Sequence, residues 1–181
     1  MGPLFRQHAE DGWVSSMDTP LSGEVKNCAV FDVLEYRENT PRDSEHPTRP
    51  SRVMIARYIL DGIASGLREA GYEVADAKRG QGCDAVTHCK LNGWSVVLTL
   101  NVVKRNPNAA SCHLRTWRSQ SLRERLLRCK AANDYATEEV WNKLCRAADR
   151  ALNQHFKTQS LEWVTRDEAT RRWSGQDVRL R

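Results

Sequence analysis

Residues 83–103 read CDAVTHCKLNGWSVVLTLNVV, two alternating stretches joined by Asn92-Gly93. This dipeptide tolerates the positive φ angles of a type I′ turn, so the pattern predicts a β-hairpin with a two-residue loop. The loop fixes a register in which the facing pairs are Leu91 with Trp94, Cys89 with Val96, Thr87 with Leu98, Ala85 with Leu100 and Cys83 with Val102. These residues share one face and are apolar or small, whereas the other face is mostly polar. We therefore expect one face of the hairpin to be buried.

The composition indicates one domain with appendages, since 181 residues fit a single hydrophobic core. No run of about 18 apolar residues occurs, so we expect no membrane span. Residues 1–13 lack the basic and apolar regions of a secretory signal. The six cysteines include no Cys-x-x-Cys pair, and we expect them to be reduced in a cytoplasmic protein.

The net charge of +5 is unevenly distributed along the chain. Residues 1–103 hold 11 Lys and Arg against 14 Asp and Glu, a net charge of −3, and residues 104–181 hold 17 against 9, a net charge of +8. A basic half of this kind suits either a phosphate backbone or an acidic protein surface.

Three segments precede the first predicted helix. Residues 1–26 show no periodicity, and we expect a loosely ordered N-terminal arm. Residues 27–36 are rich in β-forming residues and predict a strand at a sheet edge. The charged, proline-containing stretch 37–50 predicts a long polar loop.

A helix is predicted from Ser51, a suitable N-cap, to about residue 70. Its apolar residues recur every four positions, at Ile55, Ile59, Ile63 and Leu67. Gly62 and Gly66 each cost about 1 kcal/mol of helix propensity, which indicates that the helix approaches a sheet closely at these positions.

Two further strands flank the central hairpin in the sequence. Residues 72–78 predict a strand that leads into the hairpin through a glycine-containing turn. Residues 110–117 predict another strand. Its inward side chains are Cys112, Leu114 and Thr116, and its outward ones are His113, Arg115 and Trp117.

Helices are predicted after these strands. Ser121 and Glu124 form a capping box that opens a short helix, and Thr137 caps a longer helix that ends near Phe156. Thr165 and Glu168 form another capping box, which opens a terminal helix.

The predicted fold is therefore α+β. It has an antiparallel four- to five-stranded sheet, with one helix before it and two or three helices after it, packed on one face. The predicted divisions are an N-terminal arm at 1–26, a single α+β domain at 27–158 and a C-terminal helical tail at 159–181.

The sequence contains no recognised catalytic motif, and we predict neither a catalytic site nor a metal site nor a cofactor. His88 and His113 lie on the polar sheet face with Asp84 as the nearest third ligand, and we interpret them as exposed strand histidines. We interpret Cys83, Cys89 and Cys112 as buried strand residues, and Cys129 and Cys145 as buried helix residues.

Basic and aromatic residues outside the predicted core are the candidate contacts for a partner, because Trp and Arg are enriched at protein interfaces. They are Arg115, Trp117, Arg118, Arg125, Arg128, Trp163, Arg171, Arg172 and Trp173. Arg166 lies in the same tail, whose Trp and Arg residues dock in this interpretation either on the body of the protein or on a partner. The same residue types stack on bases and bind phosphates, so nucleic acid is the alternative partner.

The run ILDGIASGLREAGYEV at residues 59–74, followed by a strand and by NGWSVVLTL at 92–100, resembles small bacterial cytoplasmic domains that include toxin-immunity proteins. The resemblance covers residues 52–118. It implies one helix packed on an antiparallel sheet and a function in neutralising a partner by surface binding.

Three functions follow as hypotheses. The first is a non-enzymatic, cytoplasmic, immunity-type domain that binds a protein. The second is a nucleic-acid-binding module that uses the basic segments 104–130 and 166–181. The third is an enzyme without a recognisable motif.

Overall fold

The computed structural model describes residues 26–41, 50–91, 94–119 and 138–177. Within these residues the strands are β1 (Lys26–Leu34), β2 (Glu73–Val74), β3 (Ala85–Leu91), β4 (Trp94–Arg105), β5 (Ala109–Arg118) and β6 (Thr158–Thr165). The helices of the same residues are α1 (Tyr36–Asn39), α2 (Arg52–Glu69), α3 (Glu138–His155) and α4 (Arg166–Asp177). The described strands form one six-stranded antiparallel sheet in the order β2-β3-β4-β5-β1-β6. The predicted α+β class is confirmed, with more strands than the four or five expected.

The central hairpin has the predicted register from Leu91 opposite Trp94 to Ala85 opposite Leu100. The expected last pair is wrong, because β3 begins only at Ala85 and leaves Cys83 in the preceding loop. At this end Asp84 bonds to β4 through its side chain and its amide. Its carboxylate accepts a hydrogen bond from the backbone N–H of Val102 at 2.8 Å, and its own N–H donates to the side-chain oxygen of Asn101 at 3.0 Å.

The main core lies between the apolar face of the sheet and helices α2 and α3. Leu98 and Leu100 of β4 are fully buried in it together with Ile59 and Ile63 of α2. Ser51 caps α2 as predicted, since its hydroxyl accepts a hydrogen bond from the amide of Met54 at 3.3 Å. Burial of these side chains supplies the main stabilisation of the sheet.

The two glycines of α2 face α3, and not the sheet as predicted. A Cβ atom at Gly66 would lie 3.0 Å from the Cα of Ala151, and one at Gly62 would meet the ring of Phe156. The absence of side chains at these positions therefore allows the two helices to pack at short distance.

β1 is an interior strand, and the prediction of an edge strand is wrong. It pairs with β5 on one side and with β6 on the other. β6 occupies residues 158–165, and all of these except the first fall in the segment 159–181 predicted as a helical tail. The predicted capping box at Thr165 is present, but the helix begins only after it, so the preceding residues are available to extend the sheet.

Helix α4 packs on the opposite face of the sheet from α2 and α3. Its Ala169 is buried with Cys28 of β1 and Val164 of β6 in a separate small cluster. These two strand residues are neighbours across the ladder and point away from the main core. The prediction that all helices cover one face is therefore wrong for α4.

The remaining predicted segments have mixed outcomes. The strand at 72–78 is reduced to the two residues of β2 and an isolated bridge between Lys78 and Val86. The expected loop at 37–50 contains part of α1, while its residues 42–49, the arm at 1–25 and the short helix after Ser121 lie outside the described residues. No described helix is both long enough and apolar enough to cross a membrane.

Candidate functional site

Strand β5 becomes progressively more exposed along the face that α2 and α3 leave uncovered. His113 is only 2% exposed, Arg115 is half-buried and Trp117 is 42% exposed. Alternation along the strand puts all three on the same face, as the sequence predicted. Among the described side chains, Trp117 is the large hydrophobic residue that remains exposed.

A cavity of about 360 Å³ lies beside Trp117, where the ends of two strands meet the start of a helix. The described residues that line it are Asn27 and Cys28 of β1, Arg115, Thr116 and Trp117 of β5, and Arg166 of α4. The β1–β5 register sets Cys28 directly opposite Arg115, so both side chains face the cavity side. We call this cavity and the indole beside it the Arg115–Trp117 site.

Two hydrogen bonds hold the strand ends that form the Arg115–Trp117 site. The side-chain amide of Asn27 donates to the carbonyl of Thr116 at 3.2 Å, and the hydroxyl of Thr116 donates to the carbonyl of Asn27 at 2.9 Å. The thiol of Cys28 lies 3.5 Å from the Asn27 side-chain oxygen, to which it donates. Asn27 therefore acts as a structural link between β1 and β5.

The capping box places Arg166 at this site. The amide of Thr165 donates to the Glu168 carboxylate at 2.9 Å, and the amide of Glu168 donates to the Thr165 hydroxyl at 3.2 Å. The first of these bonds is the main reason that the pKa of Glu168 is lowered. Because α4 begins immediately after Thr165, its first residue, Arg166, faces the strand ends.

The electrostatics of the site are set by its two guanidinium groups. Burial raises the pKa of the Cys28 thiol, and the charges of Arg115 and Arg166 act in the opposite direction. Both arginines are therefore close enough to act on the same buried atom. None of the described residues that line the cavity is acidic, and such a site favours an anionic group.

The other predicted tail contacts lie elsewhere. Arg172 forms a two-point ion pair with Glu162 of β6, with N–O distances of 2.7 and 3.0 Å, and Arg171 is exposed on α4. Trp163 points to the opposite face, where it packs on the main core and lines a second cavity of about 340 Å³ with Arg146. The structure therefore does not bring these residues together with Trp117.

The remaining predicted contact residues have less definite positions. Arg118 is half-buried at the end of β5. Arg125 and Arg128 lie outside the described residues, as does the side chain of Trp173. Of the residues that the sequence singled out as contacts, Arg115, Trp117 and the tail residue Arg166 line one site. Asn27 and Cys28 were not predicted there, because nothing local in the sequence indicates which strand pairs with β5.

The two strand histidines differ in their environments. His88 is exposed, as predicted, but His113 is buried, which corrects the prediction of an exposed side chain. Burial, with a smaller effect from Arg115, lowers the pKa of His113 to about 4. Within the described residues no three His, Cys, Asp or Glu side chains form a group suited to a metal ion.

The described cysteines are free thiols, and most are buried. Burial raises the pKa of Cys89 to about 11 and that of Cys145 to about 12, and it also raises the pKa of Cys112. These three thiols occupy the buried positions that the sequence predicted, and they are protonated at neutral pH. Cys83 is only half-buried, since it precedes β3, and Cys129 lies outside the described residues.

Comparison of the chain with models of known families, with curated proteins and with solved structures finds no match.

Proposed function

We propose that this protein is a cytoplasmic, non-enzymatic domain that binds a protein partner through the Arg115–Trp117 site and neutralises it in the manner of an immunity protein. The exposed indole of Trp117 beside two arginines carries this proposal. Tryptophan and arginine are the residue types that most often dominate binding energy at protein interfaces. An indole that is almost half exposed offers apolar area that a partner can bury.

The rigidity of the surrounding framework supports the same function. Thr116 and Asn27 join the two strand ends, and the capping box fixes the position of Arg166. A site on hydrogen-bonded strands loses little conformational entropy when it binds, which favours affinity.

Nucleic acid is the second candidate, and the proximity of Arg115 to Trp117 is the observation that favours it. Arginine contacts phosphates and tryptophan stacks on bases. The neighbouring charges of α4 and β6 are mixed, however: Glu162 neutralises Arg172, and Asp167 is exposed beside Arg166. A phosphate backbone requires a continuous basic stripe, so this neighbourhood favours a protein partner.

The test begins with capture of partners from the source cell by the full-length protein, followed by purification of the captured protein and calorimetric titration. We expect Trp117→Ala to weaken binding by about 30-fold or more, the effect of a change of 2 kcal/mol at a dominant contact. Arg146→Ala is the matched control, because Arg146 is exposed on α3 and should leave the affinity within about twofold.

Two results would contradict the proposal. One is a partner whose affinity is unchanged by Trp117→Ala while circular dichroism shows that the variant is folded. The other is submicromolar binding of mixed-sequence DNA or RNA at physiological salt that Arg115→Glu abolishes, since that result would establish the nucleic-acid function instead.

A further inference from the structure

The Arg115–Trp117 site has a chemical selectivity that the proposed function alone does not specify. Its cavity of about 360 Å³ is bordered by two guanidinium groups from different elements, one on β5 and one on α4. Each guanidinium presents donors in a planar fork that matches the two oxygens of a carboxylate. We propose that this cavity receives an acidic side chain of the protein partner, whose carboxylate binds between Arg115 and Arg166 while its stem packs on Trp117. The inference rests on the proposed protein-binding function and assigns the chemistry of the contact.

The position of the two arginines supports a single anionic group. Both act on the Cys28 thiol, which lines the cavity. Among the described residues Arg166 has no salt-bridge partner. Cys28 is a neutral lining group, since its pKa is raised, and it does not compete with an incoming anion for the guanidinium groups.

The surroundings favour a carboxylate on a protein over the phosphates of a nucleic acid. Asp167 is exposed next to Arg166. Glu162 lies on β6, where it forms an ion pair with Arg172. The carboxylate of Asp167 would repel a flanking phosphate of a continuous backbone, and the charge of Arg172 is already offset by Glu162. An isolated acidic side chain on a protein surface can enter the cavity and contact the two guanidinium groups and the indole without adding flanking negative charges.

The size of the cavity also fits this occupant. A cavity of about 360 Å³ is at the small end of the range for ligand pockets in proteins, about 300–1,000 Å³. It accommodates a glutamate or aspartate side chain with part of its own backbone. The exposed indole of Trp117 then gains an apolar neighbour, as is typical of tryptophan anchors at interfaces.

The experiment uses the full-length protein and a blocked tripeptide, acetyl-Leu-Glu-Leu-amide, titrated while NMR records the arginine side-chain and indole N–H signals. We expect the signals of Arg115, Arg166 and Trp117 to shift with a dissociation constant of roughly millimolar strength. The peptide with Gln in place of Glu has the same shape without the charge, and it should bind at least about tenfold more weakly.

Protein variants locate the binding within the cavity. Arg115→Gln and Arg166→Gln should each lower the affinity for the glutamate peptide by about tenfold or more. Arg171→Gln is the matched control, since Arg171 is exposed on the same helix and should leave the affinity unchanged. Thermal melts of each variant verify that the fold is retained.

Several results would overturn the inference. Equal binding of the Glu and Gln peptides, or absence of shifts at the three signals, would show that the cavity does not select a carboxylate. Tighter binding of inorganic phosphate or of a short single-stranded DNA would assign the cavity to phosphate. A rise of more than about tenfold in peptide affinity after neutralisation of the acidic residues of segment 1–25 in the full chain would assign it to that segment.

The proposed function and this inference fail in different ways. If Trp117→Ala does not lower the affinity for the captured partner, the assignment of the protein-binding surface is wrong. If that variant weakens the partner but the Glu and Gln peptides bind equally, the surface stands and the carboxylate assignment is wrong.

Discussion

Replacement of Gly66 by alanine tests the close packing of α2 on α3. An added Cβ would meet the Cβ of Ala151 and would lie 3.0 Å from its Cα, which belongs to the backbone and cannot rotate away. Overpacking of this kind costs about 1–3 kcal/mol, and the upper half of that range applies to a backbone neighbour. Alanine recovers about 1 kcal/mol of helix propensity. We therefore expect Gly66→Ala to lower the free energy of unfolding by about 1–2 kcal/mol, measured by urea denaturation.

Gly62→Ala is the matched control on the same helix. Its added Cβ would meet the end of the Phe156 ring, a half-buried side chain that can move. The gain in helix propensity then offsets much of the steric cost, and we expect a loss smaller than that of Gly66→Ala.

A double-mutant cycle completes the test. Ala151→Gly removes the methyl group that the new side chain meets, so the double variant Gly66→Ala with Ala151→Gly should be more stable than the sum of the single effects by at least about 0.5 kcal/mol. Additive effects within about 0.3 kcal/mol, or a Gly66→Ala variant as stable as the natural protein, would refute the helix-to-helix explanation for this glycine.

Three further predictions concern the core, pH and the thiols. Leu98→Ala should cost about 2–5 kcal/mol in denaturant unfolding because its side chain is fully buried, and a loss below about 0.5 kcal/mol would contradict the core assignment. Burial keeps His113 neutral with a pKa of about 4, so the unfolded chain binds more protons once the pH falls below about 6.5. Between pH 7 and pH 5 we expect the free energy of unfolding to fall by up to about 2 kcal/mol, and His113→Gln should reduce this fall. If the free energy of unfolding of the natural protein and of the variant depended equally on pH, this prediction would be wrong. With Cys129 replaced by Ser, a thiol reagent should modify Cys83 before Cys89, and reductant should leave the melting temperature unchanged.

The parts of the fold that the sequence predicts correctly depend on local information. The two-residue turn predicted at residues 92–93 determines the pairing of Thr87 with Leu98 by counting, and the structure has that pairing. The cap at Ser51 and the capping box at Thr165 mark helix starts through contacts of at most three residues along the chain. Such contacts can be predicted from the sequence because both partners lie within a few residues of each other.

Most of the errors concern contacts between distant segments. β1 is rich in β-forming residues whether it is an edge strand or an interior one, so its composition does not reveal that β6 pairs with it. The glycines of α2 indicate a close neighbour, but the sequence does not specify whether that neighbour is a strand or a helix. The alternation of apolar and polar residues likewise does not predict the burial of His113, because it specifies only the face of the sheet on which a side chain lies.

The candidate site was half predictable for the same reason. Alternation in β5 places Arg115 and Trp117 on one face, which the sequence shows. Their association with Arg166 and Cys28 depends on the position of β1 between β5 and the strand that leads into α4. That arrangement requires the tertiary structure.

The interior position of β1 has a consequence for how the chain acquires its structure. β1 is the first described strand, yet both of its neighbours come much later, with Cys28 facing Arg115 on one side and Val164 on the other. Pairing at such sequence separations has a large loop-closure entropy and is slow. During synthesis the β1 residues Phe31 and Val33 therefore leave the ribosome long before β5 and β6, the strands that pair with β1, have been made. We expect β1 to be the segment most prone to pair with another nascent chain. We also expect that molecular chaperones that bind extended apolar segments protect β1 until β6 is made.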